Sequence, residues 1–559
     1  MARDILIRGG TIVDGSGNPW FKGDIGIRGD RIVDIGLVPE TRAGRVLDAK
    51  GLIVCPGFVD IHSHSDTPLM VNPKVESMIR QGITTQCVGN CGHSPYPVSE
   101  SAKDDLHRFP SAREFFAFVE NQGIAYNIAS LVGHGSVRET VMDFDDREPT
   151  KEELEEMRAL ISEAMDQGAF GLSTGLEYSP MFFSNTAELI ALAEAAARKG
   201  GFYASHCRAG VGLPGAAASK EVFYAHQHPS GYIRGVAEAI EVGRKAGIPV
   251  QISHIESHYP AWGLTELCLR MVDEARAEGL DVLCDVPPYL WNSTGIPILL
   301  PTWAQEGGPA AMARRLKDES IRERIKREVL EESDPQEVPT NMAMIIDGLW
   351  DKIRISGADK SPQFVGMSLQ EIAKARGVEP FDAVFDLIVE EEGNRVGIIG
   401  AAHNEADIRL ILKHPTSMIE CDAGARATYG PLSEDMPHPR AYGTFPLVFR
   451  KYVRGETRAD FPEEKGCKLL SLEGAIKKMT SLPAQRLGLQ DRGLIRRGMF
   501  ADITIFDLDA IADRATYAKP HQYSVGIDYV IVNGKIVIEN GDHKGALPGK
   551  VLRGPSYVG

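Results

Sequence analysis

The chain opens on short apolar runs set between turn residues. Runs at 5–7, 11–13, 24–27 and 31–33 are divided by Gly-Gly, Asp-Gly-Ser-Gly and Arg-Gly-Asp, which predicts short strands joined by tight turns. Runs at 501–506, 529–532 and 535–538 repeat the pattern at the other end, with Asn533-Gly534 as a hairpin signal. Between them, strand-like runs (83–88, 127–132, 170–173, 202–205, 250–253, 282–284 and 418–421) alternate with helical patterns (151–167, 186–199, 234–246 and 265–278). The predicted class is α/β: a (β/α)8 TIM-like barrel over 56–480, with a small β-sandwich domain built from both termini, 1–55 and 481–559. A barrel is favoured over a doubly wound sheet because polar, chemistry-bearing residues end so many of the strands.

Residues 296–362 break this rhythm with a charged helix over 312–332 and a Ser-Asp-Pro turn. They read either as a solvated insertion on the barrel rim or as a lid above the site.

Composition narrows the function. The net charge of −16 argues against nucleic acid or an anionic membrane as partner. No apolar run approaches the roughly 20 residues that span a bilayer, and the first residues lack the long apolar segment of a secretory signal, so a cytoplasmic location is expected. The eight cysteines are scattered without a disulfide-framework spacing, which predicts free thiols or metal ligands. The sequence leaves open whether copies assemble into a homo-oligomer.

The strand ends carry the chemistry. The apolar run before position 62 ends in His62-Ser-His64, and alternate strand residues face one side, so both imidazoles project together. That pair alone equally fits two histidines satisfied by hydrogen bonds at a strand edge. Downstream, Cys91 follows the end of the next run, His206 and His254 end two more, and Asp422 ends the last. Four imidazoles, a thiolate and a carboxylate suit zinc, which accepts nitrogen, sulfur and oxygen donors. Asp422, by position, is also the candidate general acid/base.

With these residues in place, the chain resembles the amidohydrolase superfamily, and within it the D-aminoacylases, the N-acyl-D-amino-acid deacylases. The resemblance spans nearly the whole chain and rests on Pro56-Gly-Phe-Val-Asp-Ile-His-Ser-His-Ser-Asp66, Gly89-Asn-Cys-Gly92, Leu131-Val-Gly-His-Gly135, Gly171-Leu-Ser-Thr-Gly175, His438-Pro-Arg-Ala-Tyr-Gly-Thr-Phe-Pro446 and the segment 493–503. It implies that Cys91 takes the place of the superfamily's bridging carboxylated lysine. It further implies that Cys91, His206 and His254 hold a tight zinc, while His62, His64 and Asp422 form a second, weaker site that activity does not require. The activity implied is hydrolysis of the acyl amide of an N-acyl-D-amino acid or related compound to a carboxylate and a free amine.

Arg440 is the candidate for a substrate carboxylate, whose geometry its planar fork matches; Ser293 and Tyr178 are further substrate-binding candidates. His134 reads as a core or supporting residue. His226 and His228, in an added segment over 210–233, read as a solvated loop. Pro287 and Glu256 stand where relatives tend to carry a tyrosine and a lysine, so the machinery is expected to be kept and the recognition surface altered. The rivals are a cyclic-amide hydrolase of the hydantoinase or dihydroorotase kind, against which Cys91 counts, and a non-catalytic scaffold.

Overall fold

Strands from the two chain ends hydrogen-bond to one another. The computed structural model describes residues 3–39, 43–98, 108–208, 231–460 and 464–558. Ile503–Phe506 lies antiparallel to Ile53–Pro56, with Thr504 opposite Cys55. The terminal strands thereby join in a single nine-stranded sheet. Its faces alternate as strand geometry requires: Val54, Ile503, Ile505 and Ile531 fill a small core of the sheet's own, while Ile53, Cys55, Val530 and Val532 join the large core of the molecule.

The first predicted turn, at Gly9-Gly10, does not end a strand. Arg3–Ile12 runs through it as one strand with a register shift between Ile7 and Gly10. Gly9 sits at φ +72°, so the glycine absorbs a bulge there. Asn533-Gly534 does turn the hairpin, with φ of +47° and +74°, and Val532 faces Lys535.

The middle of the chain forms two parallel arcs. One is three-stranded, Phe58–Asp60, Ile83–Val88 and Asn127–Ser130; the other is six-stranded, from Val132–Gly133 through Gly171–Gly175, Phe202–His206, Val250–Ile252 and Val282–Val286 to Ser417–Ile419. Beyond their outer ends the backbones meet again: Asp422 donates its N–H to the His62 carbonyl at 3.0 Å, and His64 donates to Ala423 at 3.1 Å. One apolar cluster collects Val59, Cys87, Ala129, Phe202, Leu283 and Met418 from both arcs. Helices such as Lys151–Asp166, started by a Thr150/Glu153 capping box, Thr186–Ala197, Gly231–Ala246 and Thr265–Ala277 follow successive strands.

Between Val282–Val286 and Ser417–Ile419 the chain builds a further unit. Its antiparallel strands Asn292–Gly295, Ile353–Gly357 and Gly397–Gly400 and its helices enclose a separate core running from Ile296 to Ile398, wider than the 296–362 marked by composition. The charged helix expected over 312–332 is broken: Gly308–Arg315 ends, and Asp318 caps a new helix, Glu319–Arg327, by accepting the Ser320 N–H at 2.9 Å. No described helix is long and apolar enough to cross a membrane.

Candidate metal centre

The strand ends converge on one cluster, and glycines make the convergence possible. A Cβ on Gly175 would lie 2.2 Å from the Cys91 carbonyl oxygen, and one on Gly92 would lie 2.0 Å from Met181 Sδ. Only bare backbone lets the Gly89-Asn-Cys-Gly92 turn press against the end of Gly171–Gly175. Asn90 Nδ2 donates to the Cys87 carbonyl at 2.9 Å and closes the turn. Cys91, His254 and Asp422 all take positive φ, +50°, +36° and +45°. Three non-glycine residues in this region, each projecting a donor group, mark a site where the surrounding fold imposes backbone strain.

Six side chains meet. His62 Nε2 lies 3.2 Å from Cys91 Sγ, and His64 Nε2 lies 2.9 Å from Asp422 Oδ1. On the other side of the thiol, His206 Nδ1 is at 3.7 Å and His254 Nε2 at 3.9 Å. The donor atoms fall into two sets, each within 4.8 Å of one another: His62, His64, Cys91 and Asp422; and Cys91, His206 and His254. Cys91 belongs to both.

Burial tunes these groups toward ligation. It pushes His62 down to about 3 and His254 well below the usual imidazole range, so both are neutral and have a lone pair free. The Cys91 thiol is pushed up by burial, so the thiolate needs a bound cation to form. Burial would also raise Asp422, but the Arg440 guanidinium, 2.9 Å from its Oδ2, and the contact with His64 outweigh it and hold the carboxylate well below its normal range. A donor set of sulfur, nitrogen and oxygen fits zinc.

Two residues absent from the sequence reading orient the ligands. Glu177 Oε2 lies 3.0 Å from His206 Nε2, which leaves Nδ1 facing the thiol. Asp285 Oδ1 accepts the His254 backbone N–H at 2.6 Å and lies 4.0 Å from His62 Nδ1, while its Oδ2 accepts from Gln251. A carboxylate behind a ligating imidazole, as Glu177 is for His206, sets its tautomer and direction, while Asp285 fixes the backbone that carries His254. Glu177 follows the end of a strand and Asp285 directly closes the run at 282–284, so the strand-end rule could have found both.

The other candidates separate. Tyr178 packs its ring 4.8 Å from that of His206, and its hydroxyl accepts from Thr294 Oγ1 at 3.4 Å. Ser293, next to Thr294, is half-buried on Asn292–Gly295, opposite Ile399. Arg440 is buried against Asp422. His134 lies apart, paired with Glu188 at 2.8 Å beside Arg138. Glu256 is buried, its Oε1 3.6 Å from His403 Nε2. His226 and His228 lie outside the described residues.

The model of the amidohydrolase family matches residues 45–306 and 368–538. The chain belongs to the amidohydrolase family. This amidohydrolase is 34% identical to N-acyl-D-glutamate deacylase of Alcaligenes xylosoxydans xylosoxydans, over 98% of this chain and 96% of that one. Among solved structures, N-acyl-D-glutamate deacylase from Bordetella bronchiseptica, complexed with zinc and a phosphonate mimic of the reaction's tetrahedral intermediate, superposes with a TM-score of 0.77. It is 30% identical, covering 99% of this chain and 100% of its own. A D-aminoacylase studied for its binuclear metal centre gives a TM-score of 0.76 at 29% identity, covering 99% and 100%. The amidohydrolase is thus an enzyme of the D-aminoacylase branch, hydrolases of linear amide bonds.

Proposed function

We propose that this amidohydrolase uses zinc to cleave the acyl amide of N-acyl-D-amino acids or close relatives, releasing a carboxylate and a free amine. The observation that carries the reading is the buried Cys91 thiol shared by two sets of donor atoms. Cys91, His206 and His254 would hold the tighter ion, and His62, His64 and Asp422 a second one with the same thiolate. On this reading the two arcs are the walls of one (β/α)8 barrel, with the metal set at the carboxyl ends of its strands. The domain reading is a barrel over 56–480, carrying an insertion, beside the sheet made by 1–55 and 481–559.

Bound zinc supplies Lewis acidity, polarising the acyl carbonyl and lowering the pKa of an attacking water toward about 7. Asp422 accepts that water's proton as its oxygen bonds to the acyl carbon, then delivers the proton to the nitrogen as the C–N bond breaks. Arg440, already beside Asp422, holds the carboxylate of the amino-acid half; Tyr178 and Ser293 border the same space. Glu177 keeps the His206 imidazole aligned through both steps, and Asp285 holds the backbone at His254. A cyclic-amide hydrolase would place a lysine where Cys91 stands. The eight free cysteines and the lack of a long apolar helix among the described residues support a cytoplasmic enzyme acting on small molecules.

The test is hydrolysis of N-acetyl-D- and N-acetyl-L-amino acids on protein whose zinc content is measured in parallel. Turnover of the D series that tracks zinc is expected. Zinc-loaded protein inert toward both series would overturn the substrate reading.

A further inference from the structure

The metal set opens to solvent at His64, whose side chain is 35% exposed while those of His62 and Cys91 are buried. Two further exposed side chains stand near that opening: His93, two residues after Cys91, and Arg395. Both are nevertheless crowded. Surrounding protein, helped by the charges of His64 and Arg395, pulls His93 down to about 4. Surrounding protein, followed by the Arg426 guanidinium, lowers Arg395 from its usual value. A side chain open to water yet hemmed in by protein lines a recess, where its charge is weakly screened.

Strand pairing places Arg395 above the site. It stands two residues before Gly397–Gly400, whose Ile398 faces Thr294, and the Val396 carbonyl accepts the Ile296 N–H at 2.9 Å. Thr294 holds Tyr178, and the Tyr178 ring lies 6.0 Å from that of His93 and 4.8 Å from that of His206. Arg395 acts electrostatically on both His93 and Tyr178. Its other charged neighbours, Arg426 and Asp435, are paired with each other, Nη2 to Oδ2 at 2.9 Å. Among the described residues no hydrogen bond or ion pair engages the Arg395 guanidinium itself. Two guanidiniums and one carboxylate leave a positive charge uncompensated at the opening, in a chain of net charge −16. An arginine fork left open in a recess matches a carboxylate.

We propose that Arg395 is a specificity residue of this enzyme: it binds a second carboxylate of the substrate, so that the preferred substrates are N-acyl amino acids carrying two acidic groups. The inference rests on the amide-hydrolase reading above, in which Arg440 takes the first. The second acid can stand on the amino-acid side chain or at the far end of a dicarboxylic acyl group, and Arg395 reads the same chemistry in either.

The experiment is kcat/KM on zinc-loaded full-length enzyme for two pairs of compounds. N-acetyl-D-glutamine is compared with N-acetyl-D-glutamate, and N-butanoyl-D-glutamine with N-succinyl-D-glutamine. One acid should exceed its neutral partner about tenfold, the effect of one hydrogen bond to a charged group. Arg395→Gln should bring that ratio toward one, with Arg395→Lys in between. A glutamate preference seats the amino-acid side chain at Arg395, and a succinyl preference seats the acyl end there. Neutral members that match both acids, or an acid preference that survives Arg395→Gln, overturn this inference and leave the amide-hydrolase reading standing. Failure of all four compounds and of their L forms overturns both.

Discussion

The floor of the site and its rim are built by different rules. On the floor, ligands leave parallel strands at their ends, and three of the residues at this level, Cys91, His254 and Asp422, are held in left-handed backbone. That conformation costs on the order of 1–3 kcal/mol for each non-glycine residue. It persists because fixed acceptors grip the turns: Asp285 takes the His254 N–H, and Asp60 takes that of Cys421 at 3.1 Å. On the rim, Tyr178 comes from a loop, Ser293 and Thr294 from the added unit and Arg440 from the start of the helix Arg440–Leu447, and Thr294 reaches Tyr178 only through a tertiary contact. The floor is specified by the strand ends themselves, whereas the rim, Arg440 apart, meets it through packing such as that of Tyr178 on His206.

The sharpest break of this contrast is at the shared thiol. Cys91→Ala should empty both donor sets together and abolish turnover, a loss beyond the roughly 100-fold ceiling for groups one bond removed from a metal. Metal analysis alongside circular dichroism checks it. A folded Cys91→Ala protein that keeps zinc and activity would remove Cys91 from the centre. Glu177→Ala comes next. Without the carboxylate on His206 Nε2, zinc affinity should fall about 10- to 100-fold, read by chelator competition. Unchanged affinity would mean that the Glu177 contact does not orient His206 for the metal.

The same division explains what the sequence discloses. The six metal candidates are legible because each closes an apolar run, and a strand end is visible in one dimension. Cys55 and Thr504 face each other across 449 positions, so the pairing of the termini into one sheet has no local signature. Asp285 closes the run at 282–284 by the same rule, but its role shows only in three dimensions, where the His254 backbone N–H and Gln251 donate to it. The charged helix over 312–332 misleads because its polar pattern is continuous, while Asp318 offers a cap that starts a second helix.

On the rim the expected effects are smaller and fall on substrate binding. Arg440→Ala should raise KM for carboxylate-bearing substrates about tenfold, the worth of one hydrogen bond to a charged group at about 1.5 kcal/mol. The corresponding carboxamide substrates, which lack the anion, should show a much smaller change. The variant also frees Asp422 Oδ2, so kcat is to be followed separately. Equal KM changes for the acid and the amide would place Arg440 solely as the partner of Asp422.

Ser293→Ala probes the rim where it is most weakly tied to the floor. The residue is half-buried on Asn292–Gly295, beside the Thr294 that holds Tyr178. A neutral hydroxyl bond to substrate is worth about 1 kcal/mol, so KM should rise about fivefold with kcat and zinc content unchanged. Loss of zinc in this variant would mean that rim and floor are mechanically coupled through Thr294 and Tyr178, whose ring lies against His206. The separation drawn here requires that a change at Ser293 stay on the substrate side of that ring.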